Sequence, residues 1–330
     1  MQPTIALTSL PNISIIIPSY NQGQYLPETI RSIIAQGYSN YELIIIDGGS
    51  TDDTLDVIRH YHSHITYWVS EPDRGQSHAI QKGLAQATGD IINWINSDDL
   101  MAPGAFEHIV AVFDLHKYDV VCGYCHYFIN DIAHLDLRNE RMGLQPTVGE
   151  TMLHRQINQP STYFKASVFR ALGVNERFHF TMDLDLWYRY LLQAGQSRVL
   201  LTDSLLSYFR LHESSKTMTS SFLFEAEAAQ VFYNVLYSMG QPQELLAFAQ
   251  RSIPEAKFAP TRYPVKVPAH ELRSLARFYA WEALIFYNQT KNRSAARVCL
   301  RIARQNNWPL GVRFLRQWLK HYALPSRLLP

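Results

Sequence analysis

The stretch "ISIIIPSYNQGQYLPETIRSIIAQGYSNYELIIID", Ile13–Asp47, decides the fold. It opens on a short β-branched run that Pro18 is expected to stop, because proline cannot donate to a sheet ladder. Leu26, Ile30, Ile33 and Ile34 then recur at helical spacing, with Pro27 suited to a first turn. Tyr41–Asp47 is a second apolar run. Strands that are apolar throughout, and joined by an amphipathic helix, belong to a parallel sheet covered on both faces.

The same alternation continues outward. "GGSTDDTLDVIRHY" reads as a helix with Ser50 or Thr51 as its N-cap and acids in its first turn. "ITYWVSE" is a third strand, "GQSHAIQKGLAQA" a third helix with Ala79, Ile80, Gly83, Leu84 and Ala87 on one face, and "DIINWIN" a fourth strand. In doubly wound sheets ligands bind just beyond the C-terminal strand ends, near a topological switch point. Here every strand ends in polar residues: Ser19-Tyr20-Asn21, Asp47, Glu71 with Asp73, and Asn96-Ser97-Asp98-Asp99. Asp98 and Asp99 are adjacent like charges, unfavourable unless a cation, a donor or water compensates them.

Beyond residue 119 the pattern loosens. "DVVCGYCHYF" reads as a strand, residues 130–158 as a polar irregular loop over the site, "SVFRALG" and "DLDLWYRYLLQAG" as helices, and "SRVLLT" and "LLSYFRLH" as two strands. From Ser221 the signal is helical throughout, so the chain is divided into a domain at 1–220 and a helical subdomain at 221–330. Trp281, Tyr287, Ala296, Ala303 and Pro309 are spaced roughly as in a tetratricopeptide-type helical hairpin, one partial copy rather than an array.

Composition bounds the rest. The 330 residues are 47% hydrophobic and 18% charged, a globular balance. No apolar run approaches the roughly 18 residues that cross a bilayer, and the N-terminus has no basic region or cleavage-like site, so a cytoplasmic protein is expected. Cys122 and Cys125 form a C-x-x-C without a second ligand pair, best read as small apolar strand residues. Residues 261–330 hold thirteen Lys+Arg against two acids, net +11, which leaves −10 for residues 1–260. A basic segment containing Trp and Leu, "GVRFLRQWLKHYALPSRLL", is expected to lie peripherally on an anionic leaflet, at the inner face of the membrane. No nucleic-acid recognition motif accompanies the charge.

The strand-edge groups suggest a chemistry. Asn96 to Asp99 offer hard oxygens that suit Mg²⁺ or Mn²⁺, ions that complete their shell with waters and substrate phosphates. Asp47 could accept from a nucleobase or ribose, Gly48 and Gly49 would let backbone approach a ligand, and Tyr20 could stack on a base. There is no G-x-x-x-x-G-K-[ST], and no G-x-G-x-x-G after the first strand. A phosphate held without such glycines needs other compensation, and a divalent metal supplies it.

With these motifs in hand, "ISIIIPSYNQGQYLPETIRSIIAQGYSNYELIIIDGGSTDDT" and "SEPDRGQSHAIQKGLAQATGDIINWINSDD" resemble the inverting family-2 glycosyltransferases, over roughly residues 12–215. The resemblance implies a GT-A fold, a mixed and mainly parallel sheet flanked by helices. It also implies a nucleoside diphosphate sugar donor, a UDP-sugar above all, and a glycan or lipid-linked acceptor in surface polysaccharide assembly. Pro18, Ser19 and Tyr20 would line the nucleoside pocket, Asp47 would contact the base, and Glu71, Asp73 and Gln76 would flank the nucleotide. The family's "DDGS" element reads Asp47-Gly48-Gly49-Ser50 here, so its second Asp is replaced by Gly48. The family's Asp-x-Asp motif falls on Asn96-Ser97-Asp98, so its first carboxylate is an amide. Asp98 would then contact metal or ribose, with Asp99 the next metal ligand.

"FTMDLDLWYRYL" resembles the family's Glu-Asp-x-Asp-x-Trp segment and would place the base that accepts the acceptor hydroxyl's proton at Asp183. The residues alone also allow Asp183 to be a helix N-cap. "YFRLHESSKT" would supply His212 as a metal ligand or diphosphate donor, and Lys216 as a cation for the leaving group; a segment at 130–158 or 212–222 would close over the donor. Two other classes fit parts of the pattern. A metal-dependent nucleotidyltransferase would want a basic, Gly-rich loop after the first strand, and "PSYNQGQY" has no Lys or Arg. A non-catalytic scaffold with a helical partner-binding tail would have no need for Asp47, Asp98, Asp99 and Asp183 together.

Overall fold

The computed structural model describes residues 10–213, 215–216 and 221–308. The basic segment 311–329, and Pro309 of the helical hairpin, lie outside the described residues, as do parts of 212–222. The chain divides into two compact units, Met1–Met142 with Ile157–Leu186 and Ser197–Thr219, and Gly143–Gln156 with Trp187–Gln196 and Ser220–Pro330. The second unit thus includes two segments, 143–156 and 187–196, that precede Ser221 in the chain.

The first unit is built on a nine-stranded sheet: β1 (Ile13–Ser19), β2 (Tyr41–Asp47), β3 (Tyr67–Ser70), β4 (Ile91–Trp94), β5 (Leu100–Met101), β6 (Val120–Ile129), β7 (Leu135–Glu140), β8 (Thr162–Lys165) and β9 (Val199–Leu211). Its order is β3-β2-β1-β4-β8-β6-β9-β5, with β7 paired to β6. Strands β3, β2, β1 and β4 run parallel, as expected of their apolar composition. β8 enters antiparallel between β4 and β6, which makes the sheet mixed. The order reverses direction at β1, where the chain leaves β2 and β3 on one side and places β4 on the other. That is the switch point at which α/β sheets open a crevice.

Both faces of β1 are covered. Ile13, Ile15 and Ile17 pack in one core with Leu26, Ile30 and Ile33 of α1 (Leu26–Ile34) and Ile58 of α2 (Thr54–His60). On the other face α3 (Gln76–Gln86) comes so close that a Cβ on Gly83 would lie 2.4 Å from Ile16 Cγ2, so glycine is required there. Burying each such Ile or Leu contributes about 1.5–3 kcal/mol.

Pro18 does not stop β1, which continues to Ser19. Ile16 O accepts from Ile95 N and Ser19 O from Gly48 N, so alternate residues face β4 and β2. Pro18 faces the β4 side, beyond the last paired residue there, Trp94 opposite Ile16, so its missing N–H is not needed. "SRVLLT" and "LLSYFRLH" are likewise not two strands but one, β9, which runs through Asp203-Ser204 beside a register shift in β6 around Gly123. Nor is 130–158 a plain loop. It contains β7 and, in the second unit, α5 (Val148–His154), whose N-cap Thr147 accepts from Glu150 N (3.3 Å) and donates its hydroxyl to Glu150 Oε2 (3.0 Å). Ser50 and Thr51 do not cap α2; its N-cap is Asp53, and Ser50 is engaged elsewhere.

The opposite end of the sheet is pinned by Glu42. Its carboxylate accepts from Ser14 Oγ (2.5 Å), Thr88 N (2.5 Å) and Oγ1 (2.9 Å), and Gly89 N (3.1 Å), tying β1 and β2 to the turn that feeds β4. Burial pushes this carboxyl up, but the four donors together outweigh burial and hold its pKa below the ordinary value. A depressed folded pKa stabilises the fold above the ordinary carboxylate range and loses that contribution as pH falls through the folded value. Glu42→Gln is therefore expected to destabilise the protein by about 1–3 kcal/mol near pH 7, because an amide cannot accept all four bonds. Urea unfolding at pH 7 and pH 4 checks it: the gap between wild type and variant narrows at pH 4, and a pH-independent gap would refute the carboxylate's role.

Within the second unit, α8 (Ser221–Ser238) and α9 (Gln243–Gln250) are followed by a Pro-rich stretch, 254–268, that is not α-helical. The helical signal of that region is thus interrupted where Pro254, Pro260, Pro264 and Pro268 remove backbone donors. α10 (Arg273–Gln289) and α11 (Arg293–Gln305) then form an antiparallel hairpin whose small residues, Ala280, Ala283, Ala296 and Ala303, share one core with Leu284 and Leu300. Asn292 caps α11, and Trp281 stacks on Trp308 at 4.4 Å. Among the described residues no helix is long and apolar enough to cross a membrane.

Candidate active site

Four strand ends of the first unit converge as expected, but their side chains divide into those that build the crevice and those that face it. Asp47 belongs to the builders. It is fully buried, and its carboxylate accepts from Gly49 N (3.1 Å), Ser50 N (2.9 Å), Ser50 Oγ (2.5 Å) and Ser70 Oγ (2.6 Å). Ser50 Oγ in turn accepts from Asn21 N (2.7 Å), and Asn21 Oδ1 accepts from Thr51 N (2.9 Å). Asp47 therefore shapes the loop after β2 and fastens it to the loop after β1. Glu71 is drawn aside by Lys82 Nζ (2.6 Å), which lowers its pKa.

Tyr20, Gly48 and Asp73 face the crevice. Tyr20 is 61% exposed. A Cβ on Gly48 would stand 3.0 Å from Asp73 Oδ2 and 3.3 Å from Tyr20 Cδ2, so the glycine lets a carboxylate and an aromatic ring close in on the same spot. Asp73 Oδ1 accepts from Gly75 N (2.7 Å), which orients it at the start of α3. Pro18 and Ser19 end β1 beside them; among the described residues the buried Ser19 Oγ has no hydrogen-bond partner.

At the end of β4, Asp98 and Asp99 point different ways. Asp99 is 1% exposed; its Oδ1 accepts from Arg210 N (3.0 Å) and its Oδ2 from Asn96 Nδ2 (3.1 Å). Burial, and next the Asp98 charge, push the Asp99 carboxyl well above the usual carboxylate range. Asp98 stays partly accessible and meets His212, Oδ2 to Nε2 at 2.9 Å. A carboxylate and an imidazole therefore lie side by side at the switch point, while Asp99 is turned into the protein.

A hydrogen-bonded line runs from Asp99, the neighbour of this pair, across the edge. Asn96 Oδ1 accepts from Gln76 Nε2 (2.6 Å), and Gln76 Oε1 from Lys216 Nζ (2.8 Å). Lys216 also donates to His179 O (3.3 Å), and Ser77 Oγ donates to Phe178 O. The segment that leads into α7 (Met182–Ala194), with Asp183 in its first turn, is thus bound to the N-terminus of α3. Asp183 is half-buried, and its Oδ1 accepts from Leu184 N (2.8 Å). Asp185, two residues on, is fully buried and accepts from Asn175 Nδ2 (3.4 Å).

Arg210 was not singled out by the sequence, although it precedes His212 by two residues at the end of β9. It is 3% exposed and donates to Asp98 O (2.8 Å), Asn130 O and Glu28 Oε2 (2.6 Å), with its guanidinium over Phe128 (4.6 Å) and Tyr25 (5.0 Å). Tyr25 also packs on the His212 ring at 4.5 Å. Cys122 and Cys125 are buried in β6, and burial raises both thiols, Cys125 to about 12, which suits apolar strand residues.

Comparison with known proteins accords with this geometry. The Glycosyl transferase family 2 profile matches residues 14–174. A Rickettsia typhi protein described as an uncharacterized glycosyltransferase is 30% identical over 225 residues, spanning 64% of this chain and 68% of that one. The chain belongs to glycosyltransferase family 2. A Rickettsia felis glycosyltransferase, 29% identical over 241 residues, is longer, and this transferase spans 38% of it. Two solved structures share the fold. TarS 1–349 of S. aureus in complex with UDP-GlcNAc has a TM-score of 0.55 and 15% identity, over 89% of this chain and 92% of that one. A Pyrobaculum calidifontis mannosyltransferase in complex with GDP-Man and Mn²⁺ has a TM-score of 0.51 and 17% identity, over 96% and 81%. The transferase is therefore a GT-A-like α/β enzyme with a helical C-terminal region.

Proposed function

We propose that the transferase takes a sugar from a nucleoside diphosphate, binds that donor across the C-terminal edge of β1, β2 and β4, and passes the sugar to an acceptor hydroxyl with inversion. The observation that carries the reading is the Asp98–His212 pair at the switch point, beside a line of hydrogen bonds that runs from Asp99 through Asn96, Gln76 and Lys216 to the segment before Asp183. The UDP-GlcNAc and GDP-Man held by the two fold neighbours support a nucleotide-sugar donor, with a UDP-sugar the first to test. In this reading 1–220 is the catalytic domain and 221–330 a helical addition.

Each crevice residue then has a task. Tyr20 stacks on the base; Pro18 and Ser19 line its pocket, with the Ser19 hydroxyl available to the nucleoside. Asp73 supplies the carboxylate that Gly48 leaves out. Asp47 and Glu71 act indirectly, by shaping the loops. Lys216, carried by Gln76, stands ready for the charge on the leaving diphosphate.

Among the described residues no three His, Cys, Asp or Glu side chains cluster as a metal site. Asp98 and His212 offer two ligands, which fits Mn²⁺ or Mg²⁺, since such ions take much of their shell from phosphates and water. Asp99, with both oxygens engaged, orients the turn rather than ligating. The bound ion would offset charge on the departing diphosphate. Asp183 accepts the acceptor hydroxyl's proton at the face opposite the leaving group, and the helix N-terminus favours its ionised form. The acceptor is a glycan, free or lipid-linked, in surface polysaccharide assembly. The enzyme works in the cytoplasm and at the inner membrane face, to which the basic residues beyond 308 would attach it.

A thermal-shift screen with UDP-, GDP- and dTDP-sugars, with and without Mn²⁺, tests the reading: one nucleotide class raises Tm, and no shift with any class overturns it. Isothermal titration of UDP into Asp98→Ala and His212→Ala is expected to lose the Mn²⁺-dependent part of the affinity. Unchanged Mn²⁺ dependence in both variants would remove the ion from this pair.

A further inference from the structure

The helical second unit contains an open groove of about 650 Å³, far from small for a ligand site. Aromatic rings line part of it, and two of them stand out to solvent, Phe222 at 71% and Phe278 at 44% exposure. Four charged side chains line it: Arg155, Arg251, Glu225 and Glu282, a balanced set. Arg155 is paired with Glu225 (3.3 Å) and lies over the Phe232 ring (4.7 Å). The Arg251 guanidinium lies over the rings of Phe248 (3.8 Å) and Phe286 (5.0 Å). Among the described residues neither Arg251 nor Glu282 has a hydrogen-bond or ion-pair partner. The groove thus offers one oriented donor fork, one acceptor carboxylate and exposed ring faces.

We propose that this groove binds a neutral oligosaccharide. A sugar ring presents C–H faces of slight positive charge, which suit the negative face of an aromatic ring, and its hydroxyls both donate and accept, so one chain can satisfy Glu282 and Arg251 together. The charge balance decides against the alternatives. A lipid phosphate would leave Glu282 facing an anion, and a basic peptide would leave Arg251 facing a cation; each like-charge approach is unfavourable. Contact with two rings restricts the Arg251 guanidinium beforehand, so less ordering is needed on binding. A glycan seated here would be gripped by the helical unit independently of the donor crevice. Its role as acceptor or product rests on the transferase reading above, but the binding itself does not.

The test applies labelled full-length protein to an array of neutral and acidic oligosaccharides, as wild type, as Phe222→Ser/Phe278→Ser, and as Asp98→Asn. Wild type and Asp98→Asn are expected to retain the same neutral oligosaccharides, and the double variant to lose at least about tenfold in apparent affinity. Both rings are exposed, so the double variant keeps the fold, which its circular dichroism checks. Retention of no neutral glycan, undiminished retention by the double variant, or loss with Asp98→Asn alone overturns the proposal. So does ring-dependent binding to phosphatidylglycerol vesicles or self-association in place of glycan binding. Failure of the donor reading shows separately, as absent nucleotide-sugar thermal shifts beside intact array binding.

Discussion

Asp183→Asn is expected to lower kcat by about 10²- to 10⁴-fold, the range a positioned general base contributes, while leaving donor affinity and stability nearly unchanged. The substitution separates two roles that one carboxylate could serve. Asp183 is the second residue of α7 and not its N-cap, and the amide oxygen of Asn can keep the bond from Leu184 N that Asp183 Oδ1 accepts at 2.8 Å. What Asn cannot do is take a proton from an attacking hydroxyl. If Asp183 only supports the first turn of α7, the variant keeps full activity; if it is the base, it folds, binds donor and does not transfer. Single-turnover transfer beside isothermal titration of the donor reads both quantities. A kcat within about threefold of wild type would end the assignment. Proton nuclear magnetic resonance of the wild-type product, through the anomeric coupling, tests the inversion that goes with a single base.

The second large effect is expected at Arg210. Arg210→Leu removes a buried cation from a place where Asp98 O, Asn130 O and Glu28 Oε2 all accept from it. Breaking one side of a buried charged network costs about 3–5 kcal/mol, because the groups left behind stay desolvated without partners. Little of that comes from Glu28, whose side chain is 46% exposed; Glu28→Gln alone is expected to cost under about 1 kcal/mol. Arg210→Lys keeps the charge but not the fork, so it folds and lets the Asp98–Asp99 turn shift. That variant is expected to raise the donor KM more than it lowers kcat, since in the proposed arrangement Asp98 holds the donor and Asp183 acts on the acceptor. Guanidinium unfolding of Arg210→Leu and steady-state kinetics of Arg210→Lys check the two statements. A loss below about 1 kcal/mol in the first would show that the network around β9 is dispensable.

Much of the first unit was legible from local chemistry. The first four strands, the helices between them and the polar ledge at their C-terminal ends follow from periodicity and chain punctuation, which act over a few residues and do not need the rest of the protein. The family motifs added which ledge residues to watch, from Tyr20 to Asp98 and Asp183. Where expectation and structure part, the deciding partner is distant in the chain. Pro18 stays in β1 because β4 has already turned away at Trp94, and β9 is one strand because it takes up its extra residues, Leu201 to Leu205, opposite Cys122 to Tyr124 of β6.

The same distinction runs through the site. The residue types at the strand ends were set by the chain itself: acids, amides and an aromatic, placed at one edge because apolar strands between helices must run parallel. Which of those acids faces a ligand was not. Asp47 is turned inward by Ser70, Glu71 aside by Lys82 and Asp99 inward by Arg210, whereas Asp98 meets His212 at the crevice. A carboxylate goes where its donors are, and those donors lie between 11 and 114 positions away in the sequence, so only the folded chain could decide it.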